Sequence, residues 1–167
     1  MSHPVSQSVS QSVSPIPEGF HSITPHLVCE NAVEALAFYE RAFGAKEVAR
    51  MAGPDGRIMH AELRIGDSMV MLADAFPEYG SRDPRALRGT PVTIHMYVED
   101  ADAVWERALA AGATAQMPIA DAFWGDRYGQ VVDPFGHQWS IATHQREMTP
   151  QQIEEAMRKE MPGSFQG

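Results

Sequence analysis

Apolar and polar positions along the chain follow two alternating rhythms. From Ile23 to Cys29 the period is two: Ile23, Leu27 and Cys29 point one way and Thr24, His26 and Val28 the other, as in a strand with one buried face. The period then lengthens. Asn31 with Glu34 three positions on is a capping box, Ala32, Leu36, Tyr39 and Phe43 make one apolar stripe, and Gly44 ends the helix. Three strands are predicted to follow, over about 46–52, 57–65 and 68–74, divided by the turns Gly53-Pro54-Asp55-Gly56 and Gly66-Asp67.

The same order is then written again. Ile23-Thr24-Pro25-His26-Leu27-Val28 has its counterpart in Val92-Thr93-Ile94-His95-Met96-Tyr97, Gly44-Ala45 in Gly112-Ala113, and Arg57 and Gly66 in Arg127 and Gly136. The second unit predicts a strand over 92–98, a helix from Asp100 to Ala111, and strands near 114–118, 127–132 and 137–143, with Asp133-Pro134-Phe135-Gly136 as the last turn. The expected fold is therefore α+β, two tandem βαβββ modules over about 22–75 and 91–144. One helix covers only one face of a four-stranded sheet, so the copies are expected to curl their sheets around a cleft, where a ligand would sit.

The remaining segments are simpler. Residues 76–90 are rich in Pro, Gly and Arg and read as a linker that also serves as a lid. Residues 1–19 repeat Ser-Val-Ser-Gln without the basic and apolar regions of a signal peptide, and are expected to be a disordered tail before a domain spanning 20–148. In 149–167, Thr149, Pro150 and Gln152 start a helix with Ile153, Met157 and Met161 on one side, expected to pack on the body or on a second subunit.

Composition narrows the function. A charge of −9 opposes the field of nucleic acid and of anionic membranes, and no apolar stretch approaches the roughly 18 residues of a spanning helix. A lone Cys29 makes no intramolecular disulfide, which suits a cytoplasmic protein.

The paired modules with His26 and His95 at matching places, Ala37-Phe38-Tyr39 with Phe43-Gly44-Ala45, and the stretch from Trp124-Gly125-Asp126-Arg127-Tyr128-Gly129 to Asp133-Pro134-Phe135-Gly136-His137-Gln138-Trp139 together resemble the vicinal oxygen chelate superfamily. That superfamily includes glyoxalase I, bleomycin-resistance proteins and extradiol dioxygenases, and the motifs are most similar to its PhnB-like branch. The resemblance implies a homodimer and, in enzymes, a divalent ion held by first- and last-strand ligands that polarises substrate oxygens. Those ligand positions fall on Thr24 and Thr93, near Val70 and on Ser140, none of them His, Glu or Gln.

Two functional expectations follow. The first is a binding protein for a small planar or anionic organic molecule, with Thr24, His26, His95, Tyr97 and Ser140 lining the cleft and Trp124 and Arg127 at its rim as aromatic plane and bidentate donor. The second is a metal-dependent lyase, isomerase or dioxygenase in which His26 and His95 hold a displaced ion (Zn, Fe, Ni or Mn) and His60 or Glu62, on one strand face, moves a proton. Cys29 and Trp139 share the helix-facing parity and are assigned to the core.

Overall fold

The computed structural model describes residues 13–161, so most of the tail expected over 1–19 lies outside it. The first module comprises β1 (His26–Cys29), α1 (Ala32–Phe43), β2 (Lys46–Ala52), β3 (Ile58–Ile65) and β4 (Ser68–Asp74). A short helix α2 (Pro84–Leu87) lies between the modules. The second module comprises β5 (Thr93–Tyr97), α3 (Ala101–Ala111), β6 (Thr114–Asp121), β7 (Asp126–Val132) and β8 (Gln138–His144), and α4 (Pro150–Glu160) ends the described chain. The two sheets have the orders β1-β4-β3-β2 and β5-β8-β7-β6, with the first strand parallel to the last in each and the remaining pairs antiparallel.

Each helix is anchored at the same place by different chemistry. The Asn31 side chain accepts the Glu34 N–H at 3.2 Å. The Asp74 carboxylate, at the end of β4, accepts the Ala32 N–H at 2.8 Å and the Ile58 N–H at 2.6 Å. In the second module the Thr143 hydroxyl accepts the Ala101 N–H and donates to the Val98 carbonyl, both at 2.8 Å. Gly44 closes α1 at φ 66°, a left-handed backbone that favours glycine.

The two modules meet through their helix-bearing sides. Tyr39 and Phe43 of α1 pack on Trp139 of β8, with ring centroids 5.5 and 4.8 Å apart, and Phe38 meets Phe135 at 6.1 Å. Leu63 and Leu72 from one sheet and Val131, Trp139 and Ile141 from the other join a single core with both helices. Asp133, only 4 % exposed, accepts four bonds there: Tyr39 Oη at 2.6 Å, Trp139 Nε1 at 3.0 Å, and the Phe135 and His137 N–H groups at 2.9 Å each. His137 reaches across to the Val28 carbonyl at 2.9 Å.

The paired βαβββ fold is as the periodicity predicts. The partner of each module's helix side is the other module, so the faces of the sheets averted from the helices are left open. Residues 76–90 are more than a linker. Pro77–Tyr79 forms a 3-10 turn, Asp83 caps α2, Arg57 bonds Glu78 at 2.8 Å and sits over the Phe76 ring, and Arg85 bonds Glu30 at 3.1 Å. The capping box of α4 is formed as expected, yet none of its residues is buried.

Candidate functional site

A groove of about 1090 Å³ runs beside the free edge of β5. Its floor is apolar, with Phe43, Ile94, Val104 and Trp139, and its walls bring in Thr24 and the turn at Gly66-Asp67. His95, Tyr97 and His144 line it too. No residue of 76–90 lines it, so the expected lid contributes nothing to the groove.

Along β5, Thr93, His95 and Tyr97 point away from α3 because Ile94 and Met96 are taken by the core. Register then sets their neighbours. His95 pairs with Ser140, which pairs with Gln130; Tyr97 pairs with Ala142, which pairs with Tyr128; His144 pairs with Asp126. The result is a continuous polar and aromatic face: His95 Nδ1 lies 2.7 Å from Ser140 Oγ, and Gln130 donates to Tyr128 Oη at 2.6 Å. The His95 ring is 4.5 Å from Tyr97 and 6.0 Å from Tyr128, and Trp124 is 5.1 Å from Tyr128.

Asp126 is the hub of this face. It is only 2 % exposed, and it accepts Trp124 Nε1–H at 2.9 Å, Tyr97 Oη–H at 3.2 Å and His144 Nδ1–H at 2.8 Å. Burial pushes its carboxyl up, but the donors His144, Trp124 and Tyr97 outweigh that and hold it below the usual carboxylate range. The same contact raises the His144 imidazole, with help from Glu147 on its other nitrogen at 3.2 Å. Tyr97 is raised by desolvation and by the Asp126 charge, so its hydroxyl stays a neutral donor.

The averted face of the first sheet is separate. His26 pairs with Met71 and Met71 with Glu62, placing all three in one row. His60 Nε2 lies 3.2 Å from Glu62 Oε1, and the His26 and His60 rings meet edge to face at 6.2 Å. Desolvation and the neighbouring His60 lower the His26 imidazole. His26, His60 and Glu62 do not line the groove, although Met69 of the same face does.

Of the residues expected from sequence, the structure therefore gathers His95, Tyr97, Ser140 and Trp124 on one face, His26, His60 and Glu62 on another, and Thr24 at the groove wall. His26 and His95 belong to different sheets and their rings are not in contact. Among the described residues no three His, Cys, Asp or Glu side chains come together to hold a metal ion, and Thr24, Thr93, Val70 and Ser140 offer no imidazole or carboxylate in their place. The side chains do not fit a divalent ion, and no step is assigned to one.

Arg127 is not a ligand-facing donor. Strand alternation turns it away from Asp126 and Tyr128, and Asp102 holds its guanidinium through two bonds of 2.8 and 2.9 Å, with Asp121 at 3.3 Å. Asp126 and Asp133, close to it in sequence, are occupied by the donors described above. Tyr128 and Gln130 are not among the site residues expected from sequence, nor is Asp126 as the acceptor that joins Trp124, Tyr97 and His144. The signal was present: Asp126, Tyr128 and Gln130 share one parity on β7, and that parity is the one opposite Val131 in the core.

Over residues 19–141 the chain matches the family model of the Glyoxalase/Bleomycin resistance protein/Dioxygenase superfamily, and it belongs to that superfamily. It is 48 % identical to the protein Mb0911c of Mycobacterium bovis over 145 residues, covering 85 % of this chain and 95 % of that one. Among solved structures it resembles TioX from Micromonospora sp. ML1, at TM-score 0.59 and 28 % identity over 73 % of this chain and 97 % of that one. It also resembles a PhnB protein from Bacillus cereus, at TM-score 0.59 over 74 % of this chain and 99 % of that one, and at 21 % identity this second likeness speaks for the fold. Among the described residues no helix is long and apolar enough to cross a membrane.

Proposed function

We propose that this protein binds a small planar organic molecule against the averted face of its second sheet, at the mouth of the groove. The observation that carries the reading is the set of rings His95, Tyr97, Trp124 and Tyr128 on one face, Tyr97 and Trp124 fixed by bonds to the buried Asp126. Rings held in place by hydrogen bonds to a buried acceptor lose little freedom on binding, and stacking of this kind adds roughly 0.5–1.5 kcal/mol per pair beyond area burial. The anionic alternative has lost its donor, because Arg127 is satisfied by Asp102 and Asp121. The metal-dependent alternative lacks a set of ligands, for the reasons given above.

The reading is tested with N-methylacridone, a neutral flat tricycle. A ligand that binds the native state alone stabilises it by about 2.7 kcal/mol at one hundred times its Kd, which raises Tm by about 5–10 °C in a domain of this size. Tyr128→Leu should abolish the rise while leaving the unliganded Tm within a few degrees. No rise at saturating probe, or an equal rise in Tyr128→Leu, refutes the proposal.

We further propose that the chain is a homodimer, because the open sheet faces carry exposed Met51 and Met117, the register partners of His60 and Gln130. Sedimentation equilibrium at micromolar concentration tests this, and a single species of 18.4 kDa refutes it.

A further inference from the structure

We infer that the molecule held on this face is an organic cation, its positive nitrogen seated between Tyr97, Trp124 and Tyr128 over the Asp126 carboxylate. The inference rests on the proposed binding face and names the class of ligand it takes.

Three observations carry it. The rings are set at steep angles to one another: Trp124 to Tyr128 at 76° and His95 to Tyr97 at 70°. In an edge-to-face pair the ring that offers its edge keeps both of its own faces free of its partner, and a free aromatic face attracts a weakly hydrated cation. Second, the Tyr97 hydroxyl and the Trp124 indole N–H both donate to one carboxylate, which pushes electron density into both rings and makes their faces more negative. Third, the surrounding charge is acidic. Asp67 and Glu99 line the adjoining groove and Glu147 flanks His144. Of the guanidiniums, Arg127 is paired with Asp102 and Asp121, and Arg107, which lines the groove, is turned onto the Ala42 carbonyl.

His144 is the group that tunes this field. As an imidazolium it neutralises Asp126; as a neutral ring it leaves the carboxylate's charge to the ligand. Asp126 stays ionised across the neutral range and Tyr97 stays protonated, so of the three groups joined by these bonds it is His144 that changes charge there; His95, beside Tyr97, is the other imidazole on this face.

The test compares three flat tricycles of one shape and different charge by equilibrium dialysis at low salt: 10-methylacridinium, whose charge is independent of pH, neutral N-methylacridone, and 9-anthracenecarboxylate. The expected result is that 10-methylacridinium binds at least ten-fold tighter than either of the others. Asp126→Asn should bring it to within about two-fold of the neutral probe, and its affinity for the wild type should rise several-fold as pH increases through the His144 titration. If Asp126→Asn does not fold, the pH series on the wild type and Tyr97→Phe, which should weaken the cation more than the neutral probe, decide the matter. Equal binding of all three overturns the cation assignment and leaves the planar-ligand reading intact. Tightest binding by the carboxylate overturns the assignment as well. Binding of none of the three overturns both.

Discussion

Replacing Tyr39 by Phe removes one oxygen from the interior and tests how the two modules are held together. Tyr39 is fully buried, and burial together with the adjacent Asp133 charge holds its hydroxyl well above the usual phenol range, so it is a neutral donor. Its bond to Asp133 Oδ2, at 2.6 Å, joins α1 of the first module to the turn before β8 of the second. A hydrogen bond to a charged group contributes about 1.5–3 kcal/mol, and the phenyl ring keeps its stacking on Trp139 and Phe43. Asp133 retains three donors, Trp139 Nε1 and the Phe135 and His137 N–H groups, so the loss should stay near that one bond. At about 2–4 °C per kcal/mol for a domain of this length, Tm should fall by about 3–12 °C. Urea unfolding should show a lower midpoint with an unchanged slope. Trp139→Phe removes the other side-chain donor to the same oxygen, so a double-mutant cycle between the two positions should be non-additive by at least 0.5 kcal/mol, the lower range for groups sharing one network. A Tyr39→Phe change below about 0.5 kcal/mol, or strict additivity in the cycle, would refute the assignment of Asp133 as a shared inter-module acceptor.

Other expectations are as direct. The His144 ring should titrate above the ordinary histidine value of about 6.5 by NMR, and Asp126→Asn should bring it down towards that value; an unchanged midpoint contradicts the pairing. The sign for stability follows. The raised His144 contributes fully below about pH 6.5 and loses its contribution as pH rises through its folded value, while the depressed Asp126 contributes fully above about pH 3.9 and loses it as pH falls through its own. Stability from the pair should therefore plateau between those limits in a pH series of urea midpoints, and Asp126→Asn should flatten the profile. Cys29, fully buried and with a thiol pushed far up chiefly by desolvation, should resist Ellman's reagent in the native protein and react stoichiometrically in urea; rapid native labelling would contradict its place in the core. A Cβ at Gly125, whose φ is 102°, would lie 2.6 Å from the Arg146 carbonyl, so Gly125→Ala should cost about 1–3 kcal/mol and weaken probe binding by moving Trp124; an unaltered Tm would speak against that strain.

The pattern of the chain carries the architecture further than it carries the site. Element order was legible because period two and period 3.6 exclude each other, and because a repeated His and a repeated Gly-Ala fix where each module begins its strand and ends its helix. Core residues such as Cys29 and Trp139 were legible by parity alone. What parity cannot say is which sides of two modules meet. Tyr39 and Trp139 both read as core, but that they are in contact with each other is a long-range fact, and it decides that the helix sides close on one another while the averted faces stay open. The expectation that His26 and His95 share a hollow failed at that step, although each lies on the averted face where alternation puts it. Arg127 failed for a different reason: a guanidinium near a site reads as a ligand donor until the register of β6 and the start of α3 place Asp121 and Asp102 against it.

Duplication also explains why chemistry is concentrated in the second module. The device that anchors each helix has survived in both copies by different means, Asp74 in one and Thr143 in the other, because an open backbone N–H at a helix start is costly in either. The averted faces carry no such obligation and have separated. Where the second module has Tyr97 and Ser140, the matching rows of the first have Val28 and Met71. Asp126 has no carboxylate counterpart, since the matching position 70 residues earlier is Gly56, in a turn. A buried carboxylate costs several kcal/mol unless its oxygens are satisfied. The second module meets that cost with Trp124, Tyr97 and His144, none of which has an equivalent side chain in the first. The hub and its three donors therefore stand or fall together, and Asp126→Ala, which unlike Asp126→Asn leaves no acceptor oxygen, should disorder the rings as a group rather than one at a time.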